Sequence, residues 1–333
     1  MNNICSDTIK SIVVVLVCFL VFGCEKTYNS QEITTNAVLQ FTVYGIKEDL
    51  PDANASLYTK NGSPINNFQY KEYDDISTLS YFETEDNRKS IAKNLMASTK
   101  MSPGIKYRVE LFEVNGDTEN HWRTLNLTSN ASVTLTDTIG VVHGKTYKWY
   151  AYSYNTQDNI TVPAKSLDIS MGINKDFLFA SNQLTINQYG NTPISILFQR
   201  KTARLAVDID TRGANAHNIF NLQVVFPSGI IKTGNFNLRN QTVSAVTNVN
   251  AETLTLNTSG FVNVGGGYRK VAYLHSVEAI SRPGDNSLSI TVPTITYTVS
   301  NGLAGTTNNV TSTKTSLPFS FSNVTVGIGE VEV

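Results

Sequence analysis

The amino-acid sequence predicts an all-β protein built from two β-sandwich domains in tandem. Tyr and Phe each occur 15 times among 333 residues, beside many Thr, Val and Ser residues, and this composition favours strands. Many Asn residues and 21 Gly residues supply the turns. Short alternating segments recur at intervals typical of stacked antiparallel sheets. The length exceeds one ordinary domain and is sufficient for two.

The balance of charges excludes several classes of protein. The 26 Lys and Arg residues nearly cancel the 27 Asp and Glu residues, which leaves a net charge of -1. With 41% hydrophobic and 16% charged residues, the chain is neither a charge-driven disordered chain nor a coiled coil. The sequence has no basic patch that would attract a phosphate backbone, so we expect no nucleic-acid partner.

Residues 1–23 have the pattern of an export signal. Lys10 precedes an apolar run of 11 residues, 12–22, which suits a signal peptide and is too short to span a bilayer. The four residues that end at Cys24 resemble the bacterial lipobox. The resemblance implies cleavage between Gly23 and Cys24 and a diacylglycerol on the Cys24 thiol. The alternatives are an ordinary signal peptide and an uncleaved membrane anchor.

Cysteine usage agrees with a lipoprotein. Cys5 and Cys18 lie in the predicted signal, and no cysteine follows Cys24. We therefore expect no disulfide, no cysteine-bound metal and no cysteine nucleophile in the mature chain. Several acyl chains on Cys24 would keep the protein on a membrane. The polar residues 24–36 would form a tether between that lipid and the first domain.

The predicted first domain covers residues 37–180. Its first strand is Val38–Tyr44, which is rich in apolar and β-branched residues. Asn61-Gly62 predicts a hairpin turn, and residues 83–101 have the spacing and composition of a helix. Residues 144–155 predict an aromatic strand with one face in the core and the other in water.

The predicted second domain covers residues 181–333. Irregular sequence between residues 157 and 182 predicts the boundary between the two domains. Turns that contain Gly and Pro then separate short strands at the spacing of a second sandwich. The predicted strands are 194–198, 204–210, 220–226, 230–233, 253–256, 270–279, 287–299 and 318–326.

Three features together resemble the fimbrillins of Bacteroidetes, the lipoprotein precursors of type V pili. They are the lipobox at Cys24, the aromatic segment 144–155, and residues 192–209, where an apolar strand ending in Phe and a basic residue leads into an amphipathic strand. The resemblance implies two transthyretin-like sandwich domains of Greek-key type and an outer-membrane lipoprotein on the cell surface or in a fimbrium. It also implies assembly with other pilin subunits, or with further copies of this chain, by exchange of a β-strand.

Strand exchange has a simple physical basis. A subunit that lacks one strand leaves an apolar groove and unpaired backbone groups, and a neighbour's strand fills both. In the family, cleavage after an Arg removes the first strand, which here would be the strand of Val38, Phe41 and Val43. No Arg occurs between Cys24 and Arg88. The sequence therefore leaves open whether another protease acts, Arg88 is used, or no strand is removed.

The C-terminal segment is a second candidate for exchange. Val324, Val326 and Ile328 alternate with other residues in a strand-like end of the chain. Such a strand could be donated to the next subunit, or it could be the last strand of the second domain's own sheet. A third alternative is a chain that is shortened relative to its relatives.

The sequence contains no recognisable catalytic or metal-binding motif. It has no G-x-S-x-G, no P-loop, no G-x-G-x-x-G and no pair of histidines at metal-ligand spacing. Asp208 and Asp210 alternate on one predicted strand, but a polar outer face explains them without catalysis. A group of acidic residues lacks the spacing of a calcium loop and is interpreted as a solvated face: Asp74, Asp75, Glu83, Glu85 and Asp86. We predict a protein that is not an enzyme and binds no metal or cofactor.

Aromatic side chains give the alternative function. Five of them could stack on sugar rings if they are exposed on a rigid sheet: Trp122, Trp149, Tyr150, Tyr152 and Tyr154. The chain would then be a glycan-binding surface lipoprotein of a polysaccharide-uptake system. Packing of the same residues in the core or at the domain junction is the other interpretation. A host or bacterial surface ligand is compatible with either function.

Overall fold

The computed structural model shows an all-β protein, as the sequence predicted. In the described residues, the only helical segments are two short 3-10 turns, Arg212–Ala214 and Thr258–Gly260. None of the described segments forms a helix long and apolar enough to cross a membrane. The residues described are 37–47, 69–73, 76–80, 98–129, 138–214, 216–250, 254–264, 267–282, 288–303, 306–321, 324–328 and 331–332.

The first half of the chain contributes eleven described strands. Most are short, as expected for a sandwich. Their bounds are β1 Ala37–Lys47, β2 Gln69–Tyr73, β3 Ile76–Ser80, β4 Ser98–Thr99, β5 Lys106–Asn115, β6 Thr118–Thr128, β7 Thr138–Val141, β8 Thr146–Ser153, β9 Asp168–Ser170, β10 Leu178–Thr185 and β11 Gly190–Arg200.

Eight of these strands form one sheet in the order β4-β1-β11-β10-β8-β5-β6, with β7 also paired to β1. Strand β1 runs parallel to β11, whereas the other ladders are antiparallel. Strands β10 and β11 pair only where Leu178 and Phe179 lie opposite Arg200 and Gln199. Beyond that point the two strands separate, and the sheet folds into two layers.

The two layers enclose the first apolar core. The ring of Phe41 on β1 meets that of Trp149 on β8 edge-on, with ring centroids 6.1 Å apart. Tyr107 on β5 meets Phe198 on β11 in the same way, at 6.0 Å. Each pair joins one layer to the other, which is the packing of a β-sandwich.

The second half contains twelve described strands and a second apolar core. Two four-stranded sheets have the orders β17-β18-β12-β23 and β16-β13-β20-β21, and both contribute side chains to that core. The bounds are β12 Ala203–Asp210, β13 Ala216–Val225, β14 Lys232–Asn237, β15 Thr242–Asn248, β16 Thr255–Asn257, β17 Val262–Val264, β18 Arg269–Ser276, β19 Ile280–Arg282, β20 Leu288–Leu303, β21 Thr306–Phe321, β22 Val324–Val326 and β23 Val331–Glu332.

A third core, which we call the junction core, joins the two halves. Strand β9 pairs with β14 of the second half, so the connecting segment is part of this structure. Phe236 of β14 packs on Phe177 and Phe179, with ring centroids 5.4 and 5.0 Å apart. The buried members are Phe112, Tyr150, Tyr152, Ile169, Met171, Phe177, Phe179, Phe236, Leu238 and Val277.

The junction core corrects the prediction for the aromatic strand. Strand β8 has no face in water: Trp149 faces the first core, whereas Tyr150 and Tyr152 face the junction core, and all three are buried. The prediction was wrong because the connecting segment and β14 cover the second face of the sheet. A strand buried on both faces reads as apolar on both.

The described residues also bear on the predicted helix and on the predicted domain boundary. The predicted helix is wrong at its C-terminal end, because Ser98–Thr99 forms β4 and pairs with Ile46 and Lys47. Its remaining residues through position 97, and the Asn61-Gly62 turn, lie outside the described residues. The predicted boundary at residues 180 and 181 falls inside β10, a strand of the first sheet. Strand β11, which belongs to the first sheet, ends at Arg200, and β12, which belongs to a sheet of the second half, begins at Ala203.

Candidate strand-exchange site

Strand β1 contains the first set of candidate exchange residues. From Ala37 to Phe41, its side chains alternate between the first core and the opposite face. Ala37, Leu39 and Phe41 are at most 1% exposed and belong to the first core. Val43 packs against the same core, whereas Val38 is half-buried on the opposite face. The period of two places one residue in every pair inside the sandwich.

Both edges of β1 are in use, but to different extents. Strand β11 lies along one edge from Ala37 to Lys47. On the other edge, β7 pairs with residues 37–40 and β4 with residues 46–47. Between them, residues 41–45 have no partner on this edge among the described strands. Strand β1 is therefore held mainly by β11 and by its own core side chains.

Gly45 shows how closely β4 approaches β1. The register with β11 shifts between Val43 and Gly45, which is a local bulge. A Cβ atom at position 45 would lie 2.8 Å from the carbonyl oxygen of Thr99. Any other residue would therefore push β4 away, and glycine is needed for the contact.

Withdrawal of β1 would open a long groove. The edge of β11 would lose its partner from Gly190 to Gln199. The core would lose the side chains of Leu39, Phe41 and Ile46, which are all buried, and Trp149 would lose its neighbour Phe41. An exposed strand edge beside an apolar groove is a template for another strand.

The C-terminal candidates occupy the second core. Strand β22 pairs antiparallel with β19, and Val324 and Val326 are both 0% exposed. Ile328 follows the strand and is 48% exposed. Strand β23 pairs parallel with β12 at Arg204 and Leu205. These contacts favour the interpretation that this segment is the last strand of the second half's own structure.

The predicted lipidation site cannot be placed against these strands. Gly23 and Cys24 lie outside the described residues, and so do all five members of the acidic group predicted as a solvated face. Cleavage before Cys24 and its acylation stay predictions from the sequence.

The aromatic candidates for sugar stacking are mostly buried. Trp149, Tyr150 and Tyr152 are 4%, 1% and 0% exposed. Tyr154 is half-buried, and its hydroxyl donates to the carbonyl oxygen of Ser170 at 2.5 Å. Burial raises the pKa of Tyr152 to about 12. Of the two interpretations of these residues, packing at the domain junction is the one that the burial of Tyr150 and Tyr152 supports, because the junction core covers their rings. Trp122 remains 38% exposed.

An ionic cluster that sequence reasoning missed links the two halves at Glu119. Its carboxylate accepts hydrogen bonds from Lys148 Nζ at 2.7 Å, from the Tyr150 hydroxyl at 2.9 Å and from Arg239 Nε at 2.9 Å. Burial raises the pKa of Glu119, but these hydrogen bonds outweigh it and hold the pKa below its usual value. The cluster joins β6 and β8 to Arg239, which follows β14 in the second half.

A second missed cluster lies where β11 ends. Arg200 Nε donates to Asp176 Oδ1 at 2.7 Å, and Nδ1 of His275 on β18 lies 3.7 Å from the same oxygen. Burial raises the pKa of Asp176, but the charge of Arg200 keeps it below its usual value. Burial lowers the pKa of His275 to about 4, although Asp176 opposes the shift. The only sequence signal was the basic residue after Phe198 in the segment 192–209.

The carboxylates considered for catalysis are engaged in ion pairs. Arg269 donates to Asp208, and Arg212 donates to Asp210. In the described part of the chain, no group of three or more His, Cys, Asp or Glu side chains is arranged to hold a metal ion. These pairs explain the two aspartates as structural features of β12.

Comparison with known proteins gives a family and several weak structural likenesses. A family model described as fimbrillin-like matches residues 142–332, which is more than half of the chain. No curated protein sequence matches this chain significantly.

Three solved structures illustrate the structural likenesses. One named for cell adhesion from Bacteroides fragilis has 12% identity and a TM-score of 0.48, covering 89% of this chain and 90% of its own. Another named for cell adhesion, from Bacteroides ovatus, has 14% identity, a TM-score of 0.39 and 89% coverage of both chains. A fimbrial anchor protein from Porphyromonas gingivalis has 10% identity, a TM-score of 0.29 and 77% coverage of both.

These structural likenesses are too weak to carry an argument, so the assignment depends on the family model. Its match begins before β8 and continues through the second half to β23. It therefore includes both the aromatic segment and the segment 192–209 on which the resemblance was based. The chain belongs to the fimbrillin-like family.

Proposed function

We propose that this protein is a structural subunit of a surface fimbrium and that it assembles when a partner's strand replaces β1. Membership of the fimbrillin-like family supports the fimbrial role. The observation that carries the proposal is the arrangement of β1 itself. It is the first described strand, it lies in parallel along β11, and its buried side chains belong to the first core.

The geometry of the groove defines what a replacing strand must offer. It must run parallel to β11 and place apolar side chains at the positions of Leu39 and Phe41, where the core is fully closed. The position of Gly45 requires a residue without a side chain, because Thr99 approaches closely there. Main-chain pairing supplies affinity, and the alternate side-chain pockets supply specificity.

A partner subunit is the source of the replacing strand in this proposal. The chain's own C-terminal strand is occupied, since Val324 and Val326 fill the second core. The partner is either a further copy of this chain or another fimbrillin-like subunit. The strand that leaves β11 and the strand that arrives therefore come from different molecules.

Lipid at Cys24 is proposed to hold the protein on the outer membrane. The tether 24–36 would separate that lipid from β1. Metabolic labelling with palmitate tests this, and Cys24→Ser should abolish the label and release the protein from the membrane fraction. Cys18→Ser is the matched control and should keep both, because Cys18 lies within the predicted signal. Full labelling of the Cys24→Ser chain would contradict the lipid site.

Immunogold electron microscopy of the source cells tests the fimbrial role. With antibody against residues 37–333, we expect gold along filaments or at their ends. Gold scattered over the cell face without filaments would contradict the subunit role and indicate a surface adhesin that stands alone. A strain that lacks the chain controls for antibody specificity.

A further inference from the structure

A cleft opens on the side of the first sandwich where β10 and β11 separate. Its volume is about 390 Å³. Pairing between the strands ends at Phe179 and Gln199, and beyond that point their facing edges have no partner among the described strands. Gln241, in the turn between β14 and β15, lines the cleft from the second half. Both halves therefore build the cleft.

The polar lining of the cleft is rich in amides and hydroxyls. Among the nine described lining residues, none is charged and five are polar: Ser181, Asn182, Ser195, Gln199 and Gln241. Each amide offers a donor and an acceptor, and each hydroxyl can act as either. This set can meet a ligand whose own groups both donate and accept.

Two of the amides are already oriented. The side-chain oxygen Oε1 of Gln199 accepts a hydrogen bond from Lys201 Nζ at 3.3 Å. The side-chain oxygen Oδ1 of Asn182 accepts one from the Gln183 backbone N–H at 2.8 Å. Both bonds use the carbonyl side of the amide, so the two NH₂ groups are available to a ligand. Fixed donors lose less conformational entropy on binding than free ones.

The apolar part of the lining includes two aromatic rings. Trp149 and Phe179 border the cleft, although each is nearly buried in a neighbouring core. Asn182 lies opposite Trp149 in the ladder between β10 and β8, so their side chains are neighbours on one face of the sheet. An amide beside an aromatic edge can contact both the polar and the C–H surfaces of one ligand.

We propose that this cleft binds a neutral oligosaccharide of about two sugar rings. The volume of the cleft lies within the usual range for ligand pockets, roughly 300–1,000 Å³. Sugar hydroxyls both donate and accept, which matches three amides and two hydroxyls. An inserted peptide strand would need a regular row of apolar pockets, whereas most of this lining is polar. The binding goes beyond the assembly function and does not depend on the exchange of β1.

The two tryptophans of the chain allow a direct test. We would record the indole N–H signals of the full ¹⁵N-labelled chain in detergent micelles and assign them with Trp122→Phe. Cellobiose, maltose, lactose and mannobiose would be titrated separately. The proposal predicts that at least one of them shifts the Trp149 signal with saturation and leaves the Trp122 signal unchanged, because Trp122 lies on β6, away from the cleft.

Variants of the lining sharpen the test. Asn182→Ala and Gln199→Ala should each weaken the binding of that sugar by about three- to tenfold, the loss of one hydrogen bond. Gln183→Ala is the matched control, because Gln183 is exposed on the same strand and does not line the cleft. It should bind as the unchanged protein does.

Several outcomes would overturn the proposal. These are the absence of a Trp149 shift with every neutral disaccharide, a shift only with digalacturonic acid, and a shift only with a peptide of residues 37–47. Movement of the Trp122 signal alone would place sugar binding at the opposite edge of the sandwich and would also overturn it. All are measured without fibre assembly, so they are separate from the outcome for the fimbrial role.

Discussion

Strands β1 and β22 lie near opposite ends of the described chain and bury their apolar side chains equally well. Phe41 is 1% exposed and Val324 is 0% exposed. Their pairing differs, because β1 extends over 11 residues beside β11, whereas β22 has three residues beside β19. Removal of β1 would leave a long groove, and removal of β22 would leave a short gap.

Burial alone therefore does not decide whether a strand can be exchanged. A replacing strand regains main-chain pairing in proportion to its length, so only a long groove can hold a partner firmly. The groove at β1 also takes aromatic and branched side chains at defined positions. Exchange is therefore favoured at β1, whereas β22 completes the second core of its own chain.

The largest expected effect is at Phe41. Phe41→Ala should lower the free energy of unfolding by about 3–5 kcal/mol, because it leaves a cavity beside Trp149. Tyr44→Ala is the control from the same strand, since Tyr44 is 66% exposed, and its effect should be within about 0.5 kcal/mol. Urea denaturation measures both. Equal effects would show that β1 contributes little to the core.

A smaller effect is expected at the C-terminal strand. Val324→Ala should cost about 2 kcal/mol, from the apolar groups removed and the cavity left in the second core. Ile328→Ala should be nearly neutral because that side chain is 48% exposed. If Val324→Ala were neutral in the same denaturation assay, β22 would not be an internal strand.

The halves that contain β1 and β22 are in contact where Nδ1 of His275 on β18 lies 3.7 Å from Oδ1 of Asp176, and pH probes this contact. The His275 pKa of about 4 lies below the ordinary value of 6.5, so the unfolded chain takes up the proton first as pH falls. Stability from this group is present above pH 6.5 and should decrease by about 2 kcal/mol between pH 7 and pH 5.

Denaturation at several pH values checks this expectation. His275→Asn should flatten the dependence, whereas His143→Asn, at an exposed position, should leave it unchanged. An unchanged slope in His275→Asn would show that His275 is not held neutral beside Asp176, Arg200 and Arg204.

The smallest effect concerns the fit of β4 against β1. Gly45→Ala places a Cβ atom against the Thr99 carbonyl oxygen and should cost about 1 kcal/mol by crowding. Gly213→Ala is the matched control, because nothing lies within 4 Å of a Cβ atom there. Thermal denaturation separates the two. No loss in Gly45→Ala would show that β4 moves aside freely.

Local patterns in the sequence were sufficient to predict strands β1 and β8, but they could not predict which segments pack over them. The apolar and β-branched composition of residues 38–44 predicted β1, and the alternating Tyr, Trp and Ala residues predicted β8, because both patterns are local. The sequence left open whether the Tyr150 and Tyr152 face of β8 packs at a domain junction or faces water, because Phe177 and Phe236, which cover it, lie in separate segments of the chain. The apolar character of both faces of β8 was the available signal.

The candidate site was only partly predictable for the same reason. The sequence identified Val38, Phe41 and Val43 as exchange candidates, and the structure places Phe41 and Val43 against the first core but Val38 on the opposite face. Of the C-terminal candidates, Val324 and Val326 lie in the second core, whereas Ile328 is exposed. The sequence could not show that β1 runs parallel to β11, since pairing between such distant segments leaves no local pattern. The polar cleft depends on where β10 and β11 stop pairing, which side-chain alternation does not reveal.

The most direct test of strand exchange uses the full chain with a specific protease site inserted between Lys47 and Gln69. After cutting, an isotope-labelled peptide of residues 37–47 is added under native conditions, and the folded protein is analysed by native mass spectrometry. We expect the labelled peptide to replace β1, a peptide with Phe41→Asp not to replace it, and a cut placed before Val324 to allow no exchange of β22. Retention of the original β1 in the cut, folded chain, with no uptake of the labelled peptide, would contradict strand exchange at β1.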